Sequence, residues 1–194
     1  MNTNEVTARV AQYWRYDKQC PLVAFEATNG GELADVLVVN KTGQIIETEV
    51  KVSLSDLNAD LKKVKHLLFY RSFFGEEPPD WKVAKVGGWK EHIRREGFYL
   101  HYNKPKINKT SDFYFAVPAE LVVKAKVIIE KKYPWAGLLV VQDKPMFYGG
   151  YVTVAKKPKR FTVPKVGMVK LARLSRDMSA TLVRLAMKDV GLET

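Results

Sequence analysis

Apolar residues recur along the chain in two rhythms, and the switches between them mark out the elements. Val6, Val10, Tyr13 and Trp14 stand at i, i+4, i+7 and i+8, which predicts a helix from Glu5 to Tyr16 with Asn4 as its cap. After Pro21 a strand is expected over Leu22–Ala27, then a turn at Asn29-Gly30-Gly31. Leu33–Val39 is a β-branched run, Asn40-Lys41-Thr42-Gly43 a hairpin turn, and Ile45–Val52 the returning strand. Ser53 and Ser55 can cap a helix from Leu54 to Tyr70, whose inner face would be Leu57, Leu61, Val64 and Leu68. Further on come a strand over Phe113–Val117, a helix over Ala119–Lys131, and strands over Gly137–Val141 and Met146–Val154. A helix from Val166 to Met187 closes the series.

Residues 72–111 break this rhythm with Pro78-Pro79, Gly87-Gly88, clustered aromatics and lysines. They read as an insertion, helical around Trp89–Glu96. The remainder is α-β-β-β-α, the insertion, β-α-β-β and a last helix, a mixed α/β arrangement. One domain of 194 residues is expected, with 72–111 inserted into it and 156–194 as a basic extension.

With 46% hydrophobic and 27% charged residues, the chain has the composition of a folded protein. Cys20 stands alone, so there is neither an internal disulfide nor a thiolate cluster for zinc. Met1–Glu5 is polar and does not open a secretory signal, and no apolar run is long enough to span a bilayer. A cytoplasmic home is expected. The 32 Lys and Arg against 21 Asp and Glu leave a charge of +11. Such an excess suits a polyanionic partner, because cations that neutralise phosphates release condensed counterions. Seven of those charges fall in Lys156–Thr194, which holds ten basic residues against three acids.

The chemistry concentrates in Asp35 and in Glu49-Val50-Lys51. Side chains alternate along a strand, so Glu49 and Lys51 share a face. A tight hairpin about Thr42 places Asp35 opposite residue 48 or 49; with 49, all three side chains meet within about 5 Å. A slip of one residue sends Asp35 to the other face. Two carboxylates that close penalise each other's ionisation, and a hard divalent cation relieves the penalty. Lys51 beside that cation would orient or deprotonate a water. Asp60-x-Lys62, Asp80-x-Lys82 and Glu130-x-Lys132 repeat the acid-x-Lys spacing, but none lies on an apolar strand beside a second acid. The plain alternative is an exposed hairpin face with an incidental ion pair.

Asp, a strand and turn, then Glu-x-Lys resembles the PD-(D/E)xK, or restriction-endonuclease-like, nuclease superfamily. Glu49-Val-Lys51-Val-Ser53-Leu-Ser-Asp56-Leu-Asn-Ala-Asp60-Leu-Lys62, with Asp112-Phe-Tyr-Phe-Ala-Val-Pro118 later, is similar to the MmcB family of DNA-repair nucleases over roughly residues 1–71 and 112–160. The resemblance implies a three-layer core around a central mixed β-sheet flanked by helices. It implies Mg²⁺, with Mn²⁺ able to substitute, held by Asp35, Glu49 and the Val50 backbone carbonyl, and Lys51 as base or water-orienting group. Ala34 precedes Asp35 where the superfamily's name has Pro, and the insertion departs from the branch.

Glu5 is a further metal-site acid by the same likeness, though a first-turn acid also serves the helix dipole. Glu47 has the parity to reach the metal, or lies at the strand's solvated end. Asp56 and Asp60 would form an outer network with Lys62 or Lys63, or simply favour the helix start. His66 could assist the site, though a lone helical His is more often a surface or core residue, while His92 and His101 in the insertion have no ligand spacing. Lys62, Lys63, Lys156, Lys157, Lys159, Arg160, Arg173, Arg176 and Arg184 are the expected phosphate contacts. Lys104, Lys106 and Lys109 lie beside Tyr99 and Tyr102, which would stack on bases or pack the insertion down. The function expected is metal-dependent hydrolysis of DNA phosphodiesters, structure-selective, in repair, recombination or replication, with a homodimer as one arrangement. A DNA-binding module without catalysis, and an interaction protein whose charge serves solubility or RNA, are the rivals.

Overall fold

A computed structural model describes residues 1–29, 32–60, 63–76, 82–86, 90–95, 98–103, 109–147 and 150–189. Helix α1 (Thr3–Gln12) begins with a capping box in which the Asn2 side chain accepts from Glu5 N–H while Glu5 Oε2 accepts from Asn2 N–H. The cap is thus Asn2, not Asn4. The helix loosens into a π-turn over Tyr13–Asp17, which keeps Tyr13 and Trp14 buried beside Val6 and Val10.

Strands β1 (Leu22–Asn29), β2 (Glu32–Val39) and β3 (Ile45–Val50) form an antiparallel meander. Helices α2 (Leu54–Ala59) and α3 (Val64–Phe74) follow where one continuous helix is expected from the apolar periodicity. Lys63, extended at φ −73° and ψ 137°, stands between them as the cap of α3. The break rotates α3 so that Lys65, His66 and Phe69 face inward and Leu68 is only partly covered. Leu61 and the Val64 side chain lie outside the described residues.

The insertion forms a separate antiparallel sheet of β4 (Lys82–Val86), β5 (Lys90–Arg95) and β6 (Phe98–Asn103). Where a helix is expected around Trp89–Glu96, the described residues Lys90–Arg95 are therefore a strand; β-branched Ile93 and aromatic Phe98 and Tyr99 favour pairing over coiling. The chain then returns to the main sheet through β7 (Thr110–Pro118), helix α4 (Val122–Lys132), β8 (Gly137–Val141) and β9 (Val152–Lys156). Strand β9 starts six residues later than expected because Gln142–Tyr151 turns back on itself, with Gln142 N–H donating to Tyr151 O and Met146 N–H to Gly150 O, both at 2.8 Å.

The main sheet runs β1-β2-β3-β7-β8-β9, with β3, β7 and β8 parallel and the outer pairs antiparallel. Val6 and Val10 of α1 pack on one face, against Val36, Val38, Ile46, Val50 and Leu139. On the other face, α2, α3 and α4 cover an aromatic cluster containing Phe113, Phe115, Tyr133 and Trp135. Helix α5 (Met168–Asp189) lays Leu171, Leu174 and Met178 on that same face, over Leu22, Ala24, Leu37 and Ile45. The result is a three-layer α/β fold with a mixed central sheet. Strand β3 runs beneath the seam between the two apolar clusters, and its side chains there are polar.

Candidate active site

The register of the β2–β3 hairpin decides whether a site exists. Val36 pairs with Thr48, Leu37 with Glu47 and Val39 with Ile45, so the same register sets Asp35 opposite Glu49. Asp35 then turns one oxygen onto the strand end, where Val50 N–H donates to Oδ2 at 2.7 Å. That amide lies on the β2 side of β3, and in an extended strand a residue's own carbonyl points the same way. Lys51 N–H, one residue on, instead donates to Ala116 O of β7 at 2.9 Å. On the other side of Asp35 the β1–β2 ladder skips a step between Phe25–Val36 and Ala27–Ala34. Glu26, which would face Asp35 there, takes φ 45°, a conformation that costs a non-glycine residue about 1–2 kcal/mol. The register is the same on either side of this step, so neither strand carries an extra residue there.

Glu49 projects into the seam and is 1% exposed, ringed by three ammonium groups. Lys65 Nζ donates to Oε1, Lys63 Nζ to Oε2 at 2.8 Å, and Lys51 Nζ lies 3.5 Å from Oε2. Lys51 is held more firmly by Asp60, whose Oδ1 is 2.7 Å away, with Asp56 at 3.7 Å. Asp60 also meets Lys63 Nζ at 2.8 Å and His66 Nε2 at 2.5 Å. His66 sits inside the aromatic cluster, edge-on to Phe113 and Tyr133 and stacked on Phe115, and its Nδ1 has no hydrogen-bond partner among the described residues. Lys65 also donates to Leu33 O at 2.9 Å. Beyond it, Glu47 is buried, not at a solvated end, and accepts from Thr110 Oγ1 at 2.7 Å and from Asn29 Nδ2.

These surroundings separate the carboxylates. Burial pushes Asp35 up, the charge of Glu49 pushes it further, and the Val50 amide with Lys51 and Lys63 only partly offsets this. Burial also works upward on Glu49, but Lys65 and Lys63 outweigh it and hold the group below its ordinary value. Asp60 lies well below the usual carboxylate range: burial opposes ionisation, and the hydrogen bond and charge of His66 with the ammonium of Lys51 overcome it. Lys63 is correspondingly raised, since Glu49 and Asp60 outweigh its burial.

Asp35, Glu49 and Lys51 therefore come together, with Asp60 and Asp56 behind Lys51. Glu5 does not join them: its carboxylate is engaged in the capping box, and α1 covers the opposite face of the sheet. Lys63 turns inward to Glu49 and to Asp60, its expected partner in the outer network, instead of outward to a phosphate backbone. Lys156 is likewise internal, donating to the carbonyls of Pro134 (2.9 Å) and Ala136, and burial pushes its pKa down. Lys157, Lys159, Arg160, Arg173 and Arg176 are exposed, and Arg160 Nε reaches Asp112 Oδ1 at 3.2 Å. Lys62, Lys104, Lys106 and the Arg184 side chain lie outside the described residues. Lys65 escaped the sequence reading, because a lysine beside the apolar stripe of a continuous helix reads as solvated, and of the roles weighed for His66 the buried one holds, with its ring on Asp60.

The donor set of Asp35, Glu49 and the Val50 carbonyl is all hard oxygen, as Mg²⁺ prefers, and Asp35 is a carboxylate that a cation would relieve. Among the described residues no three His, Cys, Asp or Glu side chains converge at metal-ligand spacing. No family model matches the chain, and no curated protein does. Among solved structures it is similar to the SPO1766 protein of unknown function from Silicibacter pomeroyi. That likeness has a TM-score of 0.51 at 15% identity and covers 96% of this chain and 90% of that one, which concerns the fold alone.

Proposed function

We propose that the chain is a Mg²⁺-dependent nuclease that hydrolyses DNA phosphodiester bonds. The observation that carries this reading is the hairpin register, which sets Asp35 opposite Glu49 with Lys51 on the same face. Asp35, Glu49 and the Val50 carbonyl would hold the ion, with Mn²⁺ able to replace it. Bound there, it supplies an acidified water and offsets charge building on the phosphoryl group.

The chain's own groups do the rest. Lys51 is an ammonium ion-paired to Asp60, so its part is to donate a hydrogen bond to the attacking water or a phosphate oxygen. The Val50 amide fixes one Asp35 oxygen, and the other would serve the ion. Exposed Arg173 on α5, which packs on the same face of the sheet, and Lys157, Lys159 and Arg160 after β9 would track the phosphate backbone. Nothing in this set reads base edges, which favours recognition of DNA shape, as in repair, recombination or replication intermediates.

One observation favours a second reading, a DNA-binding module without catalysis: both Glu49 oxygens are paired with lysines. Purified protein incubated with duplex, single-stranded and branched DNA, with Mg²⁺, with Mn²⁺ and with EDTA, separates the two. The nuclease requires chelator-sensitive cleavage that drops at least about a hundredfold in Asp35→Asn and in Lys51→Ala. Binding without cleavage under either metal establishes the module, and absence of binding at low salt removes both.

A further inference from the structure

Three lysines neutralise the buried carboxylates of this site, and they are not equivalent. Lys51 and Lys65 are 4% and 6% exposed, and each has a second anchor, Asp60 for Lys51 and Leu33 O for Lys65. Lys63 differs: its side chain is 41% exposed, and it stands extended as the cap of α3, reaching in from outside. Its Nζ lies 2.8 Å from Glu49 Oε2 and 2.8 Å from Asp60 Oδ1. It is also among the cations whose charge lowers Asp35. A single, partly exposed positive group thus bridges the buried carboxylates of Glu49 and Asp60.

We infer that the Lys63 ammonium is a tethered counter-ion standing in the divalent-cation seat, and that the metal binds by displacing it. The inference rests on the nuclease reading and concerns how the same site is filled. Charge counting supports the exchange. Asp35, Glu47, Glu49 and Asp60 supply four carboxylates against the ammoniums of Lys51, Lys63 and Lys65. Withdrawing Lys63 makes this cluster one unit more negative and releases Glu49 Oε2 and Asp60 Oδ1 from its ammonium, both of which favour an incoming cation. Lys63 can leave cheaply because its side chain already reaches water, while those of Lys51 and Lys65 are buried. Without metal, it spares Glu49 the cost of a buried carboxylate with too few partners.

The test is Mn²⁺ affinity, measured by electron paramagnetic resonance on the intact chain without DNA. Removing a competing ammonium and its charge-assisted hydrogen bonds should tighten Mn²⁺ binding at least about tenfold in Lys63→Met. Lys63→Arg, which keeps the cation, and Lys144→Met, which removes an exposed charge elsewhere, should stay near the parent. Adding Asp35→Asn to Lys63→Met should abolish the gain. Equal or weaker binding by Lys63→Met, or a gain that survives Asp35→Asn, overturns the inference and leaves metal-dependent hydrolysis standing. If neither the parent nor Lys63→Met binds Mn²⁺, both fall. A second measurement needs no variant: Mg²⁺ should raise the acetylation rate of Lys63 relative to Lys144, read by mass spectrometry, and an unchanged ratio overturns the displacement.

Discussion

Asp60 is the hub on which the charged seam turns, and Asp60→Asn tests whether that seam is as tightly built as its distances indicate. The side chain is fully buried and meets Lys51 at 2.7 Å, Lys63 at 2.8 Å and His66 at 2.5 Å. Asparagine keeps the shape but loses the charge, and its NH₂ must then face a donor, either an ammonium or the His66 ring. Removing one partner of a buried ion pair costs about 3–5 kcal/mol. Lys51 retains Glu49 at 3.5 Å and Asp56 at 3.7 Å, and Lys63 can turn to water, so a loss of about 2–4 kcal/mol is expected at pH 7. Urea unfolding followed by circular dichroism measures it against a total of about 5–15 kcal/mol for an ordinary domain.

The pH dependence adds a second, independent readout. The folded value of Asp60 is depressed, so its stabilisation is fully present above the unfolded value of about 4 and drains away as pH falls through that range. The gap between parent and Asp60→Asn should therefore shrink as pH falls below about 4. A gap under about 1 kcal/mol at pH 7, or one of the same size at pH 3, would refute the hub argument.

Two further outcomes follow from packing and charge. A Cβ on Gly137 would lie 2.5 and 2.6 Å from the Tyr114 ring and 3.0 Å from Lys156 O, so Gly137→Ala should cost about 1–3 kcal/mol in a thermal melt. The same change made in a Tyr114→Ala background should cost clearly less, and an equal cost there would sink the steric account. Lys156→Met should lower stability by about 1–2 kcal/mol while leaving the salt dependence of DNA binding alone, because its ammonium serves two carbonyls of the chain. Lys157→Ala with Lys159→Ala should do the reverse, leaving the melt unchanged and flattening the salt slope by about 1–2, and the opposite pattern would show the two roles to be misassigned.

Much of this protein could be read before any coordinates. The β-branched run Leu33–Val39, the turn after it and the returning strand sufficed to foresee the hairpin, and a strand's period of two put Glu49 and Lys51 on one face. Strand Gly137–Val141 and the buried stripe of α1 followed from apolar patterning in the same way. The insertion was misjudged because Trp89–Glu96 carries no dominant period, and its pairing partners lie elsewhere in the chain.

Local pattern also foresaw the Asp35–Glu49 register as one of two choices; only the folded hairpin selected it, since a turn's exact geometry depends on how both strands bury against α1 and α5. The seam around Glu49 lay further out of reach. Lys63, Lys65 and His66 enter it because the chain breaks after Asp60, a departure from apolar periodicity that no single residue announces. Composition and alternation determined which groups could do chemistry here. Which cations stand against them was decided by long-range packing, because burying Glu49 is tolerable only where the rest of the fold can bring ammonium groups to meet it.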